Sequence, residues 1–375
     1  NADTVIIDDA FSIIGFDNKS VTLYVHIADV TNSISENSEA DLDALSKSET
    51  RRFNGKMVPM INNAADLSLT PGQLRNAISC EIRVDMYSGK YFVKYPILSQ
   101  IVNKTAYSYS DSISNHMHLK KLFIAGQKIY MKQNLFQSNR KETKYNNTRM
   151  VEVFMTIVNN YIGQIIVEQN IPSIIRVHYI KPNVDQTLEL VNNLARKKYE
   201  EMEIEKEPIG SQKRYIFNRI NTLAVGIISG SAQYTVSTGT ELHHCSMQID
   251  NYTHFTSPLR RYVDMVVHRS LFKRSTRTEE DLKNIIEKVN ISRKSHRQEF
   301  RDDIRKKIIE KNIRCIGYIV SIYEIEDKYE YYVAATFFRD FDLIQIVTNI
   351  KYNYFDTVKF SVHKGEPTIT PAHFP

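Results

Sequence analysis

The chain has 375 residues, 42% apolar and 25% charged, with 49 basic against 43 acidic side chains and a formal net charge of +6. These proportions are ordinary for a globular protein with a large core, and the chain carries no repeat, Gly-rich phosphate loop or low-complexity tract. The mild positive balance fits either a polyanionic partner or a merely solvated surface.

Cys80, Cys245 and Cys315 are widely spaced and odd in number. A disulfide framework is therefore not expected, and a reducing, cytoplasmic compartment is. Cysteine and histidine show no zinc spacing. No apolar run approaches the roughly 18 residues of a membrane helix, and no signal peptide precedes the first strand, so no membrane partner is expected.

The chain opens with an apolar run, Val5-Ile6-Ile7, that leads straight into Asp8-Asp9. Two adjacent carboxylates at a strand end read either as a solvated turn or as hard oxygen ligands for Mg²⁺ or Mn²⁺. Residues 22–30, TLYVHIADV, predict a strand, and residues 77–98 predict a hairpin turning at Ser88-Gly89. The stretch from Asp41 to Phe53 is polar and ends in Arg51-Arg52. A helical piece is expected around Leu119–Lys132 within a polar, lysine-rich segment.

Residues 150–167, MVEVFMTIVNNYIGQIIV, are apolar on nearly every face and predict a buried helix with a single formal charge, Glu152. That carboxylate is either favoured by the helix dipole or needs a partner or a task. A charged, amphipathic segment covers 184–222. Further on, Leu259, Tyr262, Val263, Val266, Val267 and Leu271 recur at helical spacing, with Ser257 as expected N-cap and Pro258 as first helical residue.

The first turn of that helix then holds Arg260 and Arg261. Two cations at the positive end of a helix point to a bound anion, a phosphate site. The alternative is an ion pair from Arg260 to Asp264 with Arg261 solvated. A basic helical segment covers Arg293–Arg314, and the β-branched and aromatic stretch from Cys315 predicts about five short strands.

The order of pieces IIDDAFS, YVHIADV, MVPM, ADLSLTPGQLRNAISCEI, RMVEVFMTIVNNYI with IPSIIRVH, and YTHFTSPLRRYVDMVVHRSL resembles the catalytic domain of the ribonuclease II / ribonuclease R family. That family includes the exosome's processive nuclease subunit. The resemblance runs from Asn1 to about Arg305. It implies an α+β fold, with a mixed sheet surrounded by helices that form an RNA channel over residues 1–312. A small, RNA-binding barrel of oligonucleotide-binding type is expected over 313–375.

The resemblance also implies a monomeric 3′→5′ exoribonuclease that releases nucleoside 5′-monophosphates from single-stranded RNA with Mg²⁺, or Mn²⁺ in its place, acting alone or in an RNA-degradation assembly. By the same resemblance Asp8 and Asp9 hold the metal and Arg260 contacts the scissile phosphate. Thr256, Ser257 and Arg261 line that site, Tyr109 belongs to the RNA channel, and Glu152 lies beside the terminal nucleotide. Independent chemistry agrees: clustered carboxylates and metal activate water, arginine stabilises phosphoryl charge, aromatic rings stack bases, and a glutamate can accept a hydrogen bond from a 2′-OH.

The sequence departs from the family at three places. Ile6 holds the position of a third acid, and the first acid would fall one residue before Asn1, with Asp3 a stand-in at the wrong spacing. Arg52 holds the position of a base-stacking tyrosine, with Phe53 adjacent, and Phe136 is the counterpart of a second stacking aromatic. A late glutamate is matched only by Glu299 or Asp302, and these 375 residues contain no stretch that matches the family's cold-shock-type barrels. Together these motivate a different expectation, a degenerate relative that binds single-stranded RNA without cutting it.

Overall fold

The computed structural model describes residues 6–53, 56–113, 116–132, 145–179, 193–197, 199–201, 203–206, 232–237, 239–240, 242–245, 247–310, 315–325, 328–337, 340–363 and 366–371. The chain divides into two compact units, Asn1–His178 with Ala232–Ser295, and Tyr179–Ser231 with His296–Pro375. Asp3, Phe136 and most of the 184–222 segment lie outside the described residues.

The first unit is built on an antiparallel sheet. β1 (Asp9–Phe16), β2 (Ser20–Ala28), β5 (Leu74–Asp85) and β6 (Tyr91–Val93) lie in that order, and β7 (Ile97–Val102) pairs with the other end of β5. In β2 the alternate residues Val21, Leu23, Val25 and Ile27 are fully buried, the period-2 signature of one covered face. The β5–β6 turn sits where the sequence places it: Gly89 has φ of 71° and donates its N–H to the Asp85 carbonyl at 2.8 Å. Between β2 and β5 run α1 (Glu39–Lys47), the short hairpin β3 (Arg51–Phe53) and β4 (Lys56–Val58), and the single turn α2 (Ala64–Leu67).

Two helices follow the sheet, α3 (Met117–Lys132) and α4 (Asn147–Glu168). Asn146 caps α4, its side chain accepting from the Arg149 N–H. Val153, Phe154, Ile157, Val158, Ile162 and Ile166 of α4 join the core, and Phe11 of β1 packs on Phe154 with ring centroids 5.6 Å apart. By length and mean hydropathy, 1.4, α4 could span a membrane, which corrects the expectation that no segment reaches that threshold. Its apolar faces are instead taken up by the protein interior.

β8 (Ile174–Val177) pairs with β9 (Gln233–Val236), β10 (His243–His244) with β11 (Ile249–Asp250), and the unit closes with α5 (Tyr262–Leu271) and the start of α6 (Glu279–Glu310). The unit boundary falls inside α6, after Ser295.

The polar stretch from Asp41 contains a helix that its composition does not announce. Ser38 caps α1, and Asp41, fully buried, pairs with Arg269 of α5 at 2.8 Å and with Arg277 at 3.0 Å. Arg277 also reaches Glu36 at 3.2 Å. This buried ionic network binds α1 to α5, and it makes a helix out of residues that read as solvated when each is taken alone.

In the second unit β12 (Cys315–Ile325), β13 (Lys328–Phe337), β14 (Asp340–Thr348), β15 (Thr357–His363) and β16 (Glu366–Pro371) form one antiparallel sheet in the order β14-β13-β12-β15-β16. Tyr331, Val333, Ile319, Val320 and Val358 are fully buried within it.

Candidate active site

The Asp8-Asp9 pair sits where the chain enters the sheet. Ile7 donates its N–H to Ser68 Oγ at 2.6 Å and accepts the Leu69 N–H at 3.0 Å, while Ala28 donates to the Asp8 carbonyl at 2.9 Å. Asp9 then pairs with Ile27 as the first residue of β1. Both carboxylates are thus mounted on a rigid strand entry and not on a loose turn. Ile6 points its side chain onto the core.

The other half of the site comes from the turn before α5. Leu259 donates its N–H to Asp8 Oδ1 at 2.9 Å, and Arg260 Nε lies 3.3 Å from Asp8 Oδ2. Arg260 also donates from Nη2 to Ser257 Oγ at 2.8 Å, yet its side chain remains 56% exposed and available to a ligand.

The helix begins later than its sequence pattern predicts, at Tyr262 with Arg261 as N-cap, and this corrects the placement of Ser257 and Pro258. The cause is the segment after α1: Glu49 bridges to Arg261, Thr50 donates to the Arg260 carbonyl at 3.0 Å, and Tyr262 donates to the Ser48 carbonyl at 2.9 Å. Those bonds hold Arg261 extended, at φ −140°, so a helix cannot run through it.

The two arginines therefore divide their work in the opposite sense from the ion-pair alternative. Arg261, not Arg260, pairs with Asp264, at 2.8 Å. Asp264 is fully buried and also accepts the Ser257 N–H at 2.7 Å, so one carboxylate fixes both ends of the turn. Thr256 and Ser257 are buried with it.

Tyr109 lies within electrostatic reach of the same site. Its phenol, 59% exposed, is raised by partial burial and then by the Asp9 charge, while Arg260 opposes the shift. α4 tethers that loop: Asn147 Nδ2 donates to the carbonyls of Tyr109 at 3.2 Å and Asp111 at 3.0 Å. Glu152 has a partner, since Arg149 Nη1 donates to its Oε2 at 2.6 Å, and 40% of its side chain is exposed. Arg52 and Phe53 belong to β3, which follows directly on the Glu49 bridge to Arg261.

Desolvation pushes the Asp8 carboxyl up to about 6 against the pull of Arg260. Asp9 is pushed further, to about 7, by desolvation and then by the Asp8 charge beside it. Among the described residues none donates a hydrogen bond to the Asp9 carboxylate, and no group of three or more metal-ligating side chains occurs. Two crowded carboxylates with uncommitted lone pairs are a donor set that suits a hard divalent cation. Asp8 and Asp9 would be its protein ligands.

Sequence reasoning missed the residues that hold this arrangement. Asn159, buried in the middle of α4, accepts the Phe255 N–H at 2.9 Å and donates to Tyr252 Oη at 3.0 Å. A polar amide at the centre of an apolar helix was the available signal. Gly163, one turn on, lets the backbone of Asn251 approach so closely that an added Cβ would overlap its carbonyl oxygen.

The RNB domain family matches residues 1–122 and 115–276, well over half of the chain. The chain belongs to the RNB domain family. Ribonuclease R of Chlamydia pneumoniae is 27% identical to it over 305 residues, which cover 71% of this chain and 44% of the relative. The exosome complex exonuclease dis3 of Schizosaccharomyces pombe is 26% identical over 319 residues, 71% of this chain and 32% of the relative. The chain spans less than half the length of the curated relatives it matches.

The RNB fold is also that of Mycoplasma genitalium RNase R, solved in complex with ribose methylated single-stranded RNA. That structure has a TM-score of 0.72 at 20% identity and covers 99% of this chain and 69% of its own.

Proposed function

We propose that this RNB domain is a 3′→5′ exoribonuclease that hydrolyses single-stranded RNA to nucleoside 5′-monophosphates with a divalent metal. The observation that carries this reading is the Asp8–Arg260 contact, which sets a crowded carboxylate pair against an exposed guanidinium. A Mg²⁺ or Mn²⁺ ion bound by Asp8 and Asp9 would supply charge neutralisation at the scissile phosphate and an activated water.

The chain's own residues do the rest. Arg260 offers its fork to the phosphoryl oxygens, where charge develops during displacement. Arg261 and Asp264 keep that fork in place, with Thr256 and Ser257 packed beneath it. Tyr109 stacks on a base, and Glu152 accepts a hydrogen bond from a ribose hydroxyl, which DNA lacks. Phe53, or Arg52 through its guanidinium plane, is the candidate for stacking on the terminal base. The second-unit sheet is an oligonucleotide-binding barrel that grips RNA.

The test is a 5′-labelled RNA incubated with the purified chain in Mg²⁺, beside a DNA of the same sequence and the variant Arg260→Ala. Stepwise shortening of RNA alone, lost in the variant, is the expected result. RNA bound but uncut by the wild type would favour the degenerate reading that Ile6 motivates.

A further inference from the structure

Next to the Arg260 turn lies a second group of cations that the reading above leaves unused. Tyr234 of β9 carries two guanidinium groups on its ring, Arg176 of β8 at 5.4 Å from the centroid and Arg293 of α6 at 5.5 Å. Its hydroxyl meets His254 Nδ1 at 2.7 Å, and His254 lies six residues before Arg260. The group joins the turn a second way, since Arg293 Nε pairs with Glu49 at 3.4 Å and Glu49 bridges to Arg261.

The charges in this neighbourhood do not close. Arg260 has Asp8, Arg261 has Asp264 and Arg293 has Glu49. Among the described residues no carboxylate pairs with Arg176, whose Nη1 is buried without a hydrogen-bond partner. Burial, and the neighbouring Arg293 charge, make the Arg176 cation less favourable than usual, with Tyr234 opposing them. His254 cannot answer with negative charge; burial and the fields of Arg261, Arg176, Arg293 and Arg260 hold its imidazole neutral. An unpaired, largely buried guanidinium is costly to keep unless an anion from outside completes it.

We propose that Arg176, with Arg293 beside it, forms a second phosphate subsite next to the one at Arg260. It takes an anionic phosphate oxygen, from the backbone of a bound polynucleotide or from the 5′-phosphate of a nucleoside monophosphate. Tyr234 is the positioning residue, its ring within reach of both guanidinium groups and its side chain hydrogen-bonded to Arg176. The proposal rests on the nucleic-acid reading above for the identity of the ligand, but its charge argument is separate.

The experiment measures binding of a fluorescent single-stranded RNA in chelator across a salt series, and of adenosine 5′-monophosphate at one salt, by wild type, Arg176→Gln and Arg176→Lys. For Arg176→Gln the expected loss is on the order of tenfold in affinity. The salt slope for RNA should fall by about 0.7, one phosphate contact's share on a single strand. Arg176→Lys keeps the charge and loses the fork, so it should keep the slope and bind more weakly than wild type.

Weakened RNA binding with unchanged monophosphate binding assigns the subsite to the backbone; weakening of both assigns it to the 5′-phosphate. Should Arg176→Gln fail to fold, Arg176→Lys decides alone. Wild-type affinity and slope for both ligands in a folded Arg176 variant would overturn the subsite and leave Arg176 a structural cation. Failure of the wild type to bind RNA at all would count against the nucleic-acid reading instead, and monophosphate binding would then carry the test.

Discussion

Arg260 Nε lies 3.3 Å from Asp8 Oδ2, although 252 positions separate the two residues in the chain. Next door, Arg261 is held by Asp264 only three positions away, inside the protein. Adjacent arginines of the same motif thus do different jobs. One is exposed and faces the carboxylate pair; the other is structural.

That division predicts opposite phenotypes. Arg260→Ala should cost less stability than Asp264→Ala, because the Arg260 side chain is 56% exposed and the Leu259 N–H still donates to Asp8, yet it should lose RNA cleavage. Asp264→Ala should cost about 3–5 kcal/mol by stranding Arg261 without its counter-ion. Chemical denaturation of both variants, beside an activity assay, checks the contrast. Equal stability losses would remove the distinction.

Asn159 should matter to activity without touching ligand. Asn159→Leu keeps the branching and heavy-atom count of the side chain but leaves the Phe255 N–H buried and unpaired, at a cost of about 1–3 kcal/mol. Because Phe255 leads directly into the Arg260 turn, cleavage at saturating RNA should fall further than RNA affinity does. Kinetics that separate kcat from KM, measured on protein shown to be folded, give the answer.

Acid should loosen the fold through histidines held neutral. His26 hydrogen-bonds Ser12 Oγ at 2.8 Å and Ser79 Oγ at 2.6 Å, and burial lowers its pKa to about 4. A depressed pKa means that the unfolded chain binds the proton more readily. The stability is therefore fully present above pH 6.5 and is lost as pH falls towards 4. Its full size is on the order of 3 kcal/mol, since each tenfold difference in proton affinity between the folded and unfolded chain is worth about 1.4 kcal/mol. His244, also lowered to about 4, adds a loss of the same sign. Denaturation midpoints from pH 7 to pH 4 should fall less steeply in His26→Gln than in wild type.

Much of this architecture was legible in the chain because periodicity reports burial directly. The alternation in TLYVHIADV and the all-round apolar run of α4 each identify a buried element, and Gly89 identifies a turn. What could not be read is what depends on distant partners. Asp41 looks solvated until Arg269 and Arg277 are brought to it. Ser257 and Pro258 look like a helix start until Ser48 and Glu49 pull the chain straight. In the same way the choice between Arg260 and Arg261 turns on which carboxylate arrives from elsewhere in the fold, a fact of tertiary packing that local spacing does not carry.

If Asp8 and Asp9 hold the metal that drives RNA cleavage, Asp9→Asn is the variant that should abolish it. Single-turnover cleavage of a 5′-labelled RNA should be measured in Mg²⁺ and Mn²⁺ for wild type and variant, with RNA binding measured alongside. The wild type should shorten the RNA stepwise from its 3′ end, and the Asp9→Asn protein should bind RNA with similar affinity without shortening it. An Asp9→Asn protein that degrades RNA at the wild-type rate would contradict the metal assignment.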